Sequence, residues 1–178
     1  MTFEEVYERH FDFVWKSLRR LGVPPRDLPD VAQEVFVVVH RRLSSFEARA
    51  KVTTWLFQIC FHAARDRNRR AHVRREVADP ATLEAQPGQE ERADQLLERR
   101  DDLALFDAVL DGMTADQRAV FVMFELSEMT GDDIAETLGV PLGTVYSRVR
   151  LAREAFRRGV ARVTARSTRG LLTRESSR

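Results

Sequence analysis

The stretch DDIAETLGVPLGTVYSRV, Asp132 to Val149, decides how the rest of the chain is read. Thr130 stands where a helix N-cap belongs, and Asp132 and Asp133 suit the positive end of that helix. Ile134, Ala135 and Leu138 repeat at the spacing of an inward face. Gly139 falls where a tight turn needs a positive φ, and Val140 can bury beneath it. Pro141 opens a second helix without wasting an N–H. Within it Val145, Val149, Ala152 and Phe156 form a buried stripe, and Gly143, Ser147, Arg150 and Glu154 lie opposite, flanked by Thr144 and Arg148. Small residues at the leading end let a helix enter a major groove, and Arg side chains reach guanine edges or phosphates. The pattern is a helix-turn-helix. An ordinary αα-hairpin with a solvated Arg-rich face fits the same spacing, and only the small-residue entry and the charge beyond it favour DNA.

That charge is strongly segregated. The net value of +1 over 178 residues conceals two basic ends around an acidic middle. Residues 1–76 hold 15 Lys/Arg against 10 Asp/Glu, residues 77–111 hold 3 against 10, and residues 137–178 hold 10 against 2. Basic patches attract a polyanion and an acidic stretch repels it. The single Cys60 cannot close an internal disulfide, and the four His show no metal-ligand spacing. The N-terminal MTFEEVYERH, charged from its fourth residue, argues against a leader peptide, and the longest apolar run is far too short to cross a bilayer. A cytoplasmic protein is expected. No paired carboxylates, catalytic triad or P-loop pattern suggests an enzyme, and no cofactor is implied.

Working outward, every periodic segment reads as helix. Thr2 with Glu5 forms a capping box for a helix to about Leu21, with Phe3, Val6, Tyr7, His10, Phe11, Val14 and Leu18 on one face. Gly22 stops it. Further helices are expected over about Asp30–Leu43, Thr53–Arg75 and Asp94–Leu110, and another follows a Thr114–Gln117 box. The Pro- and Glu-containing run EVADPATLEAQPGQEE reads as linker. The expectation is an all-α chain of two small helical domains joined by a flexible acidic linker. Its parts are residues 1–76, a linker over 77–93, a helix-turn-helix domain over 94–163, and a basic, disordered tail over 164–178.

Three stretches of the first domain stand out. DVAQEVF sets Asp30, Gln33, Glu34 and Val37 near one polar-to-apolar edge, with Phe36 adjacent. FEARAKVTTWLFQI places a basic, Thr-containing loop before Trp55. HAARDRNRR makes the end of the third helix densely cationic. Trp55, Phe57 and Phe61 interleave with this basic region, and aromatics beside cations are what unstacked bases need. A flipped base also needs a receiving pocket, which such a loop above a helical platform could supply. Trp55, Leu56 and Ile59 suit a plain core equally well.

Taken together, these segments resemble the extracytoplasmic-function, group IV sigma factors of the sigma-70 family. LPDVAQEVFVVVHRRLSSFEARAKVTTWLFQICFHAARDRNRR is similar to region 2, and LDGMTADQRAVFVMFELSEMTGDDIAETLGVPLGTVYSRVRLAREAF to region 4. The resemblance implies a protein that binds core RNA polymerase, through the β′ clamp and the β flap, and directs it to promoter DNA. It implies polymerase docking by Asp30, Gln33, Glu34, Phe36, Val37 and Arg41. It implies −10 contacts from Phe46, Arg49, Lys51, Thr53, Thr54, Trp55, His62, Arg65, Asn68, Arg69 and Arg70, with a flipped base captured by the loop from Phe46 to Thr54. The −35 element would be read by Gly143, Thr144, Ser147, Arg148, Arg150 and Arg153. Such factors are often held by an anti-sigma protein. One position departs from the pattern: His62 replaces the family's usual Asn, which puts the −10 preference in question. A stand-alone helix-turn-helix regulator with an N-terminal interaction domain is the alternative.

Overall fold

The computed structural model describes residues 1–46, 51–77 and 94–175, and side chains of 1–46, 51–70 and 103–165. The described residues contain helices and turns and no strand. The expected linker, apart from Val77, lies outside them.

Helix α1, Phe3–Arg20, begins at the expected box: Thr2 Oγ1 accepts from Glu5 N at 3.3 Å, and Thr2 N donates to Glu5 Oε2 at 2.9 Å. It ends at Gly22, whose φ of 87° lets Gly22 N reach Arg19 O at 3.0 Å and Val23 N reach Leu18 O at 3.1 Å. This crossed pair of bonds satisfies carbonyls that the helix end would otherwise orphan. Helix α2, Leu28–Arg42, buries Leu28, Val31, Ala32, Val35, Phe36 and Val39, a stripe at helical spacing. Helix α3, Val52–Val77, buries Leu56, Phe57, Ile59, Cys60, Phe61 and Ala64 against α1 and α2. Arg67 ties α3 to the turn before α2 through Asp27.

The second unit starts with α4, Asp94–Asp111, and α5, Ala115–Phe121. Thr114 caps α5 with Gln117, as its sequence indicates. Beyond Phe121 the expected single helix widens into a π turn, Val122–Leu126, and Glu128 takes a φ of 50°. Helices α6, Gly131–Leu138, and α7, Leu142–Glu175, follow. Val120, Met123, Ile134, Val145 and Ala152 are buried at their centre. A full burial is worth about 1.5–3 kcal/mol for each larger aliphatic side chain. Gly159 allows close packing on α4, since a Cβ there would stand 2.7 Å from Val109 Cγ1.

Helix α7 runs to Glu175, into the segment expected as a tail over 164–178, and residues 176–178 lie outside the described residues. Ala, Arg and Leu in TARSTRGLLTRE are good helix formers, and the lone Gly170 costs only about 1 kcal/mol. The two units also pack together, in one continuous hydrophobic cluster. Arg19 Nη2 meets Asp107 Oδ2 at 2.5 Å, Arg20 lies 5.9 Å from the centre of the Phe106 ring, and Gln58 Nε2 donates to Thr137 Oγ1 at 3.1 Å.

Candidate nucleic-acid interface

The α6–α7 pair is built by local chemistry that the sequence announces. Thr130 Oγ1 accepts from Asp133 N at 3.1 Å, and Asp133 Oδ2 accepts from Thr130 N at 3.2 Å. Gly139, at φ 65°, closes α6 with bonds from Gly139 N to Glu136 O and from Val140 N to Ala135 O. It is the same stop that ends α1. The predicted stripe is in place: Val145, Val149 and Ala152 are buried, and the half-buried Phe156 stacks on Phe121 at 4.5 Å. Gly143, Ser147, Arg150 and Arg153 are exposed, while Thr144 and Arg148 are half-buried.

These exposed residues are not equally free to meet DNA. Arg150 Nη1 pairs with Glu154 Oε1 at 3.1 Å within one exposed helix turn. Such pairs are weak, about 0.3–0.5 kcal/mol, and a phosphate can displace them. Arg153 Nε donates to Glu125 Oε1 at 2.6 Å, and its guanidinium lies 5.4 Å from the Phe124 ring centre. That anchors Arg153 to the π turn. Ser147 Oγ donates to Thr144 O at 2.9 Å and must rotate to reach a base. Two residues outside the predicted set shape this surface. Tyr146 is 53% exposed beside the recognition face. Gly131 lets α7 approach α6, because a Cβ there would stand 2.8 Å from Leu142 Cδ1 and 2.9 Å from the Tyr146 hydroxyl.

The α2 edge also forms as its spacing indicates. Asp30, Gln33, Glu34, Val37 and Arg41 are exposed, and Val37 is 42% accessible. Phe36 differs: it is 5% accessible, with Tyr7 at 4.7 Å and Phe11 at 6.1 Å between ring centres. It forms the floor of a groove of about 580 Å³ whose other wall is Phe3, Tyr7, Phe11 and Trp15 of α1. Sequence reasoning assigned most of these α1 aromatics to the buried face. Their i, i+4 spacing was visible, but nothing in it told a core wall from a groove wall.

The expected −10 set divides between two places. Trp55, His62 and Arg70 line a groove of about 480 Å³ between α2 and α3, together with Arg42 and Gln58. Trp55 is half-buried with its ring 4.8 Å from Phe46, and Arg70 Nη2 bonds Glu34 Oε2 at 3.2 Å. Arg65 and Asn68 instead line a cleft of about 280 Å³ facing the second unit. Arg69 and Lys51 are exposed, and Arg69 pairs with Asp66 at 3.5 Å. Thr53 and Thr54 belong to the first turn of α3 rather than to the loop, and Thr54 is buried. Arg49 lies outside the described residues. Phe57 and Phe61, read beside Trp55 as stacking candidates, are core residues at 0% and 8% accessibility. They lie two and six residues beyond Trp55, which turns both inward on a helix of 3.6 residues per turn. Gln58 and Arg42 line this groove without having been among the expected residues, since a lone polar residue in an apolar helix such as Gln58 carries no pattern of its own.

Among the described residues no three His, Cys, Asp or Glu side chains form a metal site, and no helix is long and apolar enough to cross a membrane. Comparison with known proteins agrees with this layout. The family models for Sigma-70 region 2 and Sigma-70, region 4 match residues 6–74 and 103–156. The ECF RNA polymerase sigma factor SigE of Mycolicibacterium smegmatis is 28% identical over 156 residues, covering 88% of this chain and 60% of that protein. The ECF RNA polymerase sigma-E factor of Escherichia coli K12 is 29% identical over 147 residues, 79% of this chain and 77% of that one. The chain thus spans less than two thirds of the first relative. Among solved structures, the sigma factor RpoE in complex with the anti-sigma factor NepR from Bartonella quintana shares the fold. Its TM-score is 0.72 at 22% identity, covering 89% of this chain and 96% of that one. CnrH in complex with the cytosolic domain of CnrY matches with a TM-score of 0.58 at 25% identity, over 86% and 84% of the two chains. With both of its helical units matched in order, the chain belongs to the sigma-70 family and to its extracytoplasmic-function group.

Proposed function

We propose that this chain is a promoter-specificity subunit of RNA polymerase, acting in the cytoplasm and catalysing nothing itself. The observation that carries the reading is the pairing, in one chain, of an exposed α2 edge matched by region 2 with a helix-turn-helix matched by region 4. Residues 1–76 would bind core polymerase and the −10 element, and residues 94–163 the −35 element. Asp30, Gln33, Glu34, Val37 and Arg41 dock the polymerase, with Phe36 shaping the groove beside them. Trp55 and His62 receive an unstacked base in the α2–α3 groove, where Arg70 offers charge to the backbone. Gly143, Thr144, Ser147, Arg148 and Arg150 read the −35 duplex. An anti-sigma protein is a further expected partner, as the complexes of the two structural relatives suggest. The stand-alone regulator draws no support from the comparisons. The test is run-off transcription with core polymerase on a randomised promoter pool. Enrichment of two elements at fixed spacing is expected. Initiation no better than that of core polymerase alone refutes the proposal.

A further inference from the structure

Two residues outside the expected contact set hold one that is inside it. Asp27 stands immediately before α2, where an Asp side chain ordinarily accepts from the first N–H groups of the helix. Here it makes no such bond. One carboxylate oxygen instead receives Arg67 Nη2 from α3, and Arg26 Nε lies 3.9 Å from the other. The pair is sheltered, with the side chains of Arg67 and Asp27 19% and 30% accessible. The same guanidinium also reaches its neighbour: Arg67 Nη1 donates to Asn68 Oδ1 at 3.1 Å. One planar group thus holds an acid with one nitrogen and an amide with another.

A guanidinium has donors only, so the atom of Asn68 that faces it is the oxygen. That fixes which way round the amide lies. Its Nδ2, with two N–H donors, is the end left to meet another molecule. An Asn without such a neighbour can turn over and offer either end. We infer that Arg67, held by Asp27, is a positioning residue for −10 binding. It presents Asn68 to the DNA donor end first, toward an acceptor that is either a phosphate oxygen or a base atom such as purine N7 or guanine O6. Arg67 itself makes no contact with DNA. Asp27, Arg67 and Asn68 all belong to the first unit, so the link does not depend on how the second unit sits. The inference rests on the promoter-binding reading above.

The test is a double-mutant cycle. The full chain is reconstituted with core polymerase and titrated with a duplex carrying an unpaired −10 segment. Wild type is compared with Arg67→Lys, Asn68→Ala and the double variant. Arg67→Lys keeps a charge opposite Asp27, but a single ammonium cannot hold two groups as a planar fork does. Loss of one hydrogen bond weakens binding by Asn68→Ala roughly three- to tenfold. A freely turning amide is the right way round about half the time, so Arg67→Lys should bind about twofold more weakly. In the double variant that second loss should vanish and leave the Asn68→Ala value, because Arg67 acts through Asn68. A merely structural role, or a direct contact of Arg67 with DNA, would multiply the two losses. Multiplied losses overturn the inference, and so does wild-type affinity in Asn68→Ala. Asp27→Asn leaves Arg67 an uncharged acceptor and is carried through the same cycle with Asn68→Ala, which decides the case if Arg67→Lys does not fold. Run-off transcription on a pool randomised over the −10 element tells the two acceptors apart. A preference relaxed at one position identifies a base, and a uniform loss identifies a phosphate. Failure of the wild-type chain to direct initiation faults the promoter reading, whereas the cycle judges the positioning.

Discussion

Two glycines four residues apart, Gly139 and Gly143, should respond to the same substitution with opposite signs. At neither would an added Cβ meet any atom within 4 Å, so packing drops out of the comparison. What differs is the backbone. Gly139 holds φ at 65°, where an L side chain costs about 1–2 kcal/mol. Alanine recovers about 0.4–1 kcal/mol of this by restricting the unfolded chain. Gly139→Ala should therefore destabilise the second unit by about 1 kcal/mol. Gly143 is the second residue of α7, with an ordinary negative φ, where exchanging Gly for Ala gains a part of the roughly 0.8–1 kcal/mol found in a helix interior. The variants should differ by about 1–2 kcal/mol, and melting shifts by about 4–8 °C per kcal/mol in a unit of this size. Urea and thermal unfolding followed by far-ultraviolet circular dichroism measures both. Binding should not follow stability at Gly143. Gly143→Ala adds a methyl to the exposed entry of the recognition helix, so the more stable protein should bind the −35 duplex less well within the polymerase complex. A stabilised Gly139→Ala, or a destabilised Gly143→Ala, would refute the assignment of one to a turn and the other to a helix.

Val37→Asp places a charge on the exposed α2 edge; core polymerase should bind it at least tenfold less tightly with stability changed by less than about 0.5 kcal/mol, and equal binding would remove Val37 from the docking surface. Cys60 is fully buried, and burial pushes its thiol pKa well above the ordinary range; thiol reagents should leave it unmodified at neutral pH until the chain is unfolded, and prompt labelling of the native protein would contradict its place in the core. The His10 pKa is lowered, first by burial and then by Arg9. Its neutral form is favoured in the folded chain, so this contribution to stability is present above the unfolded value of about 6.5 and is lost as pH falls through the folded value; His10→Gln should flatten that part of the melting-temperature profile, and an unchanged slope would count against it.

Legibility followed the physics of each element. The caps at Thr2, Thr114 and Thr130, the stops at Gly22 and Gly139, and the stripe from Val145 to Phe156 all appear where their residues place them. Each depends on neighbours within one or two turns, which a sequence contains in full. The Asp30–Arg41 edge was legible for the same reason. The division of the −10 set was not, because the cleft that Arg65 and Asn68 line is completed by Val140 and Arg148, from a unit about seventy residues away. Phe57 and Phe61 beside Trp55 show a related limit: aromatics alternating with cations look alike in a stacking platform and in a core beneath an Arg-rich end. The π turn at Val122–Leu126 leaves no mark in the apolar run that contains it. His62 is exposed beside the half-buried Trp55, a position from which its unusual identity can affect a base rather than the packing.

Helix α7 is 34 residues long, which at 1.5 Å per residue makes a rod of about 51 Å. Its leading end is the one proposed to enter the groove, and its close contact with α4 falls at Gly159. The 16 residues beyond extend for about 24 Å. The direction of that arm is set by how the first turns sit on the DNA, so the helix works as a pointer. A fluorophore or a fused domain at its far end would sweep through many ångströms for a tilt of a few degrees in the groove, turning small differences in promoter seating into large, measurable displacements.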